Sequence, residues 1–512
     1  MNKIINLIKT VKADLFIIFF LLIAASIPRL ILLDKIPPGI HGDEGWVGII
    51  AREILSKEPV PAYIEAATGI PSGFIYPSAL IFKLFGENIF LLRISFSIIG
   101  ILTVIAIYIF FRLFFNHKVS LLTALAFNFS LIHIHYSRIA YNIIYLPLFQ
   151  LMSLIFIIMG RKKNNLVFII FSAIFAGLGL HSYHPFILFP LTIIFLLLID
   201  IYKQKFSTVK IKELLLFIAV FIIIGLPILK VMIFQPNLYF SHVKSYSIFN
   251  VPKIKNQSNL INKFNPILIT GFENISHFFL GNRVDFIDAF GKYYNFNKSY
   301  IVLFLLGIFL SFAKRKKYNF FILFSLIFFL TPTFFTFEGT YRRSILTLIY
   351  FYYFVAIAIN WILKIFNKKH HIILFLLITF VILFESFVNL NIYFNKFSKD
   401  EETKSVFFIE LTEAALLIKT KLSSSNKIYL FSDKNPCSHE TIRYLLNKFK
   451  CEDRSTEFGS YSLYNIDKPS TILLINKYTS LITEIKSRFK NGEEYLIKDQ
   501  ENNRILAIIY KM

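Results

Sequence analysis

The chain is 512 residues long, 56% hydrophobic and 17% aromatic, with a mean hydropathy of +0.61; this excludes a soluble multidomain protein and leaves a polytopic membrane protein. Its net charge of +24 does not imply nucleic acid as a partner. The lysines and arginines lie in short clusters between apolar runs, where the positive-inside rule puts them, and the tail after residue 394 is nearly balanced.

In chain order, Lys3, Lys9 and Lys12 precede an apolar run at 15–33, and Leu30-Ile31-Leu32-Leu33-Asp34 offers no small-residue cleavage site, so a retained first span with a cytoplasmic N-terminus is expected. The outer loop 34–74 follows, with a helical apolar spacing at 44–55 (Trp46, Ile49, Ile50, Ile54) that predicts a short interfacial helix. A second interfacial helix is predicted at 76–85, ended by Gly86. Further spans are expected at 89–115, 120–136, 143–159, 166–180, 186–199, 214–234, 300–313, 320–335, 345–365 and 372–389, giving about eleven transmembrane helices. Basic clusters such as Arg161-Lys162-Lys163, Lys314-Arg315-Lys316-Lys317 and Lys368-Lys369 then all fall inside, and 235–298 reads as a large outer loop too polar to span.

The expected fold class is therefore an all-α polytopic membrane protein, residues 1–394, followed by a small extracytoplasmic α/β domain, 395–512. Strand-like runs at 427–431, 471–475 and 504–510 alternate with helical stretches at 401–422, 439–450 and 481–489. The tail carries no Gly-rich phosphate loop and no metal-ligand cysteine spacing, so no chemistry is assigned to it. Its Cys437 and Cys451 make a disulfide possible if the tail is extracytoplasmic.

Fifteen Asp and Glu precede residue 395, against thirty-six Lys and Arg. The adjacent carboxylates in His41-Gly42-Asp43-Glu44-Gly45-Trp46 are conspicuous for that reason. On the expected topology they share the outer face with Arg138 and Tyr141, with His181, Tyr183 and His184, and with Arg342 and Arg343. Ionisable groups at membrane depth mark functional cavities, although each alone also reads as an interfacial anchor or a helix cap. A carboxylate and phosphate-binding arginines suit transfer of a sugar from a lipid phosphate: a base takes the acceptor proton and cations hold the departing phosphate. Asp43 and Glu44 are the catalytic candidates, Arg138, Arg342 and Arg343 the donor phosphate ligands, and His41, Trp46, Tyr141, Tyr183 and His184 the substrate-binding set.

An N-terminal span, the Asp-Glu loop, a downstream Pro77…Leu84-Phe85-Gly86-Glu87-Asn88…Leu91-Leu92-Arg93 pattern and Ser137-Arg138 resemble the GT-C glycosyltransferases, over roughly residues 15–235. Within them the chain is similar to the glycosyltransferase 39-like group of protein mannosyltransferases and aminoarabinose transferases. The resemblance implies inverting transfer from a polyprenyl-phosphate sugar to a glycan, lipid or protein acceptor outside the cytoplasm, in a plasma or inner membrane. By position it matches Asp43 to the loop aspartate, and it places Arg342 and Arg343 where a late arginine meets the lipid phosphate. The acidic-Lys-Pro-Pro motif of the aminoarabinose branch is replaced here by Gly69-Ile70-Pro71-Ser72-Gly73-Phe74-Ile75-Tyr76-Pro77, without the lysine. His41, Asp43 and Glu44 could supply part of a divalent-ion site, but lacking a fixed partner they do not define one, and no metal or other cofactor is expected. Competing classes are a lipid-linked oligosaccharide flippase or transporter, and an envelope polysaccharide polymerase or ligase. The first lacks an internal repeat here, and the second lacks loop arginines beyond Arg283.

Overall fold

A computed structural model describes residues 2–56, 61–65, 69–255, 260–281, 290, 293–313, 317–337, 340–365, 371–421, 427–456, 459–499 and 501–512. Arg283, Glu338, Gly339 and the basic residues at 314–316 and 368–369 lie outside them. In chain order the helices are α1 (Asn2–Leu30), α2 (Gly42–Ser56), α3 (Tyr76–Phe85), α4 (Ile89–Arg112), α5 (His117–Asn128), α6 (Leu131–Arg138), α7 (Tyr145–Lys163), α8 (Leu166–Gly179), α9 (Leu188–Lys203) and α10 (Thr208–Phe234). They continue as α11 (Leu260–Leu280), α12 (Lys298–Ala313), α13 (Lys317–Leu330), α14 (Leu348–Ile365), α15 (His371–Asn391), α16 (Glu401–Val406), α17 (Ile409–Lys421), α18 (Glu440–Leu445) and α19 (Ile482–Arg488). A two-stranded hairpin pairs β1 (Tyr63–Ile64) with β2 (Ile70–Pro71).

Among the described residues, α1, α4, α7, α9, α10, α14 and α15 are long and apolar enough to cross a bilayer. The pair α5 and α6 makes an eighth span bent by 59°, and α8, α12 and α13 are shorter apolar helices. Each of the eleven predicted spans thus has a helix. At 16 residues α12 reaches only about 24 Å, less than the hydrocarbon thickness. The predicted 76–85 helix ends as expected: Gly86 takes φ +88° and its N–H donates to the Phe82 carbonyl.

The chain divides into two compact units, one of Met1–Ile31, Glu58–Pro77 and Ile94–Tyr393, the other of Leu32–Lys57, Ser78–Arg93 and Phe394–Met512. In the first, α8 packs between α7 and α10, and α12 packs on α14. The expected single span at 120–136 is broken instead. Ser130 adopts an extended backbone between α5 and α6, which strands carbonyls that would otherwise be paired inside the helix. Lipid supplies no donors, so side chains must. Nη2 of Arg29 donates to the Asn128 carbonyl at 3.1 Å, and Nδ2 of Asn389 donates to the Phe129 carbonyl at 2.9 Å. Pro28 in α1 similarly lacks the N–H that would serve Ala24, and Nδ2 of Asn128 donates there at 3.1 Å.

The loop expected at 235–298 is in part helical, with α11 running for 21 residues. Its Asn and Tyr content reads as too polar to span, but Asn274 is buried and donates to the Thr333 and Thr336 carbonyls, so the polarity of that side chain is spent on packing.

In the second unit, β3 (Lys427–Phe431), β4 (Lys450–Asp453), β5 (Ser470–Ile475), β6 (Glu493–Lys498) and β7 (Ile505–Lys511) form a sheet in the order β4-β3-β5-β7-β6. Strand β3 pairs in parallel with β4 and β5, while β7 is antiparallel to β5 and β6. One face of the sheet buries Tyr429, Phe431, Ile472, Leu474, Ile508 and Tyr510 against Ile485 of α19. The expected helix at 401–422 is interrupted at Phe408, which takes φ +48° between α16 and α17. The expected helix at 439–450 stops at Leu445 and gives way to β4. Cys437 and Cys451 are disulfide-bonded, with Cα atoms 5.7 Å apart.

Candidate active site

The acidic pair opens α2, and the structure separates its two members. Glu44 is fully buried and takes both carboxylate oxygens to Arg93, with Nε to Oε2 and Nη2 to Oε1 each at 2.9 Å. The same guanidinium donates to the carbonyls of Leu33 (3.1 Å), Pro37 (3.0 Å) and Gly39 (2.6 Å). All five N–H donors of Arg93 are therefore used, and the loop before α2 is tied to the helix through one buried side chain. Asp43, one residue earlier, keeps a side chain that is 51% exposed. Its backbone N–H donates to Nδ1 of His41 at 3.1 Å, so His41 acts as the amino-terminal cap and its Nδ1 is an acceptor. Trp46 is half-buried on the same helix.

Helix α2 is covered along its glycine face by α18. A β-carbon added at Gly45 would lie 2.8 Å from the Glu440 carbonyl carbon and oxygen, and one at Gly48 would lie 2.3 Å from Cε2 of Tyr444. Only glycine lets the two helices approach this closely. Arg52 continues the contact, donating to the Tyr444 carbonyl at 2.9 Å while its guanidinium pairs with Glu87. His439 caps α18, its Nδ1 accepting from Thr441 N–H at 3.3 Å, and its ring meets Phe408, which also meets the His41 ring. Burial lowers the His439 pKa, the Glu440 carboxylate opposes that shift, and His41 adds to it. Sequence reasoning gave α18 no role; the three-residue spacing of Gly42, Gly45 and Gly48 was the available sign of a close helix contact.

In the other unit, Arg342 lies over the Tyr141 ring at 4.9 Å and Arg343 over the Tyr246 ring at 5.2 Å. Asn142 next to Tyr141 donates to the Ser182 carbonyl at 2.9 Å, which joins that corner to Tyr183 and His184. The His184 ring bonds through Nε2 to the Tyr63 hydroxyl and packs on Tyr239, so hairpin β1–β2 belongs to this cluster. His181 binds the Ile224 carbonyl through Nε2 at 2.9 Å. Arg138 is fully buried and donates to the Pro28 and Ile31 carbonyls at the end of α1, at 2.7 and 2.8 Å. The predicted residues are thus gathered in two sets: His41, Asp43, Glu44 and Trp46 in one unit, and Arg138, Tyr141, Tyr183, His184, Arg342 and Arg343 in the other. Among the described residues no group of three or more His, Cys, Asp or Glu is close enough to hold a metal ion.

Residues 71–229 match the family described as dolichyl-phosphate-mannose-protein mannosyltransferase. No curated protein matches the chain by sequence. Among solved structures, ArnT from Cupriavidus metallidurans in the apo state is 12% identical with a TM-score of 0.56, covering 96% of this chain and 97% of that one. The same ArnT bound to undecaprenyl phosphate gives a TM-score of 0.51 over the same coverage. The archaeal oligosaccharyltransferase AglB from Archaeoglobus fulgidus, in complex with an inhibitory peptide and a dolichol-phosphate, gives 0.52 at 12% identity, covering 86% of this chain and 64% of its own. The chain thus has the fold seen in ArnT and in AglB, and its residues 71–229 match the mannosyltransferase family.

Proposed function

We propose that the protein transfers a sugar from a polyprenyl-phosphate donor to an acceptor outside the cytoplasm, with inversion at the anomeric carbon. The acceptor oxygen attacks that carbon while its proton passes to the Asp43 carboxylate, and the carbon–oxygen bond to phosphate breaks. The lipid phosphate leaves with the bonding pair, and Arg342 and Arg343 are assigned its growing charge. ArnT bound to undecaprenyl phosphate and AglB bound to a dolichol-phosphate support a lipid phosphate as the donor's carrier. The basic clusters between spans and the Cys437–Cys451 disulfide support the assigned orientation.

The observation that carries this reading is the division of the acidic pair. Glu44 is locked to Arg93 inside the protein, while the helix it anchors holds Asp43 half-exposed in its first turn. The test is incubation of purified protein with radiolabelled polyprenyl-phosphate sugars. Label should leave the lipid with wild-type protein and stay on it with Asp43→Asn, a loss of about 10²–10⁴-fold for removal of a general base. Full turnover by Asp43→Asn at normal folding would overturn the assignment.

A further inference from the structure

The second unit contains a cleft of about 850 Å³ that the reaction scheme leaves unused. One wall is the loop 32–39, the same loop whose Leu33, Pro37 and Gly39 carbonyls are held by Arg93 and which runs directly into His41 and Asp43. The rest of the lining includes the start of α4, residues 394–399 and α17. Its size lies in the range of small-molecule sites, roughly 300–1,000 Å³.

The lining decides what class of ligand it suits. Four lysines face it and four carboxylates balance them. Lys404 is paired with Asp499 at 2.6 Å and Lys399 with Glu501 at 2.9 Å, so their charge is already neutralised within the wall. A phosphate or an acidic headgroup would find no surplus of cations. A lipid chain would find its apolar wall broken by these ion pairs, whose desolvation it could not repay. What remains is apolar surface, including the Phe90 and Phe394 side chains, interleaved with Asn395, Ser398 and the rim carboxylates. Sugars present that same alternation, with ring C–H faces that lie on aromatic or aliphatic surface and hydroxyls that donate and accept at the edges.

We propose that this cleft binds an uncharged oligosaccharide, so that the acceptor is a glycan lodged beside the loop that leads to Asp43. The inference rests on the glycosyltransferase reading for its role, but binding is measured without donor or turnover. Full-length protein in nanodiscs is titrated with mannotriose, maltotriose and chitotriose, with inorganic phosphate and a short neutral peptide as the competing probes. At least one trisaccharide should bind, with an affinity that stays unchanged between about 50 and about 500 mM NaCl because no net charge is involved. Phe90→Ala and Asn395→Ala, each confirmed as folded by gel filtration, should each weaken it by about three- to tenfold. Lys498→Gln, a rim change, should leave it within about twofold. No binding of any trisaccharide, binding indifferent to both Phe90→Ala and Asn395→Ala, or displacement by phosphate or peptide would overturn the proposal. Should saccharide bind as described while label never leaves the lipid, the transfer reading fails and the cleft assignment stands.

Discussion

The pair Glu44–Arg93 and its neighbour Asp43 allow stability and catalysis to be separated by substitution. Arg93 makes five hydrogen bonds with no solvent access, two to Glu44 and three to carbonyls of the loop 33–39. Arg93→Met leaves a buried carboxylate without its partner, a loss of about 3–5 kcal/mol. The three carbonyls also lose their donors, so this figure is a lower bound. Against a total stability of about 5–15 kcal/mol, this is a large fraction and should make Arg93→Met the least stable of the variants. Arg93→Lys keeps the charge but brings three donors to five acceptor positions. With two or more acceptors unserved at about 1–3 kcal/mol each, it should fall between Arg93→Met and wild type. Glu44→Gln leaves the guanidinium as the uncompensated charge and should destabilise comparably to Arg93→Lys. Asp43→Asn, exposed and in the first helical turn, should change stability by no more than about 0.5 kcal/mol.

The assay is the thermal midpoint of detergent-solubilised protein by fluorescence-detected gel filtration, run beside the lipid-sugar transfer assay. The midpoints should order as wild type and Asp43→Asn together, then Glu44→Gln and Arg93→Lys, then Arg93→Met. Transfer should be lost in Asp43→Asn while its midpoint is kept. A Glu44→Gln protein that melts with wild type, or an Asp43→Asn protein that melts with Arg93→Lys, would refute the division of labour between the two carboxylates.

Three further outcomes are expected. Gly45→Ala should lower the midpoint although alanine is the better helix former by about 1 kcal/mol, because the added carbon meets α18 backbone that has no rotamer to yield; a higher midpoint would show that the α2–α18 contact is loose. Because the folded His439 pKa lies below its unfolded value near 6.5, the unfolded chain binds the extra proton, and the stability present above that pH is lost as pH falls towards the folded value. His439→Asn keeps a cap but does not titrate, so its midpoint should fall less than wild type between pH 7.5 and pH 5.5, read as two scans per protein; equal losses would remove His439 as a contributor. Converting Arg342 and Arg343 together to Gln should weaken polyprenyl phosphate binding by at least about tenfold, measured by native mass spectrometry, and unchanged binding would leave them a packing role beside Tyr141 and Tyr246.

The spans were readable because lipid imposes a length and forbids unpaired backbone, so uninterrupted apolar runs and the basic clusters between them fix where helices lie. What escaped were places where one distant side chain rewrites a local rule. Nothing near Ser130 announces a broken span; the break is tolerable because Arg29 and Asn389, about 100 and 260 residues away in sequence, serve the carbonyls it frees. Helix α11 reads as loop for a related reason, since one of the asparagines that make it look polar, Asn274, is buried against carbonyls beyond residue 330. At the site, adjacency identified the acidic pair but could not tell its members apart. That distinction depends on Arg93, forty-nine residues from Glu44, which the sequence shows only as the end of a short motif.

The clearest omission concerns the carboxy-terminal segment, which carries no catalytic motif and was assigned no chemistry. Its contribution is positional. The 15-residue helix α2 buries Val47, Ile49 and Ile50, but Gly42, Gly45 and Gly48 occupy the face turned to α18, where a core-facing helix would carry leucine. Such a face gains stability only from a partner close enough to make backbone contact, and α18 with Tyr444 is that partner. The disulfide at Cys437–Cys451 brackets α18 and, by closing a loop of about fifteen residues, limits the conformations from which that contact must form, an effect of about 3 kcal/mol in the chain-entropy model. Helix α2 is thus held on one side by the five bonds of Arg93 and on another by a helix from the far end of the chain. On the proposed role of Asp43 as base, both constraints serve its placement, since an error of about 1 Å there costs about 10²-fold in rate.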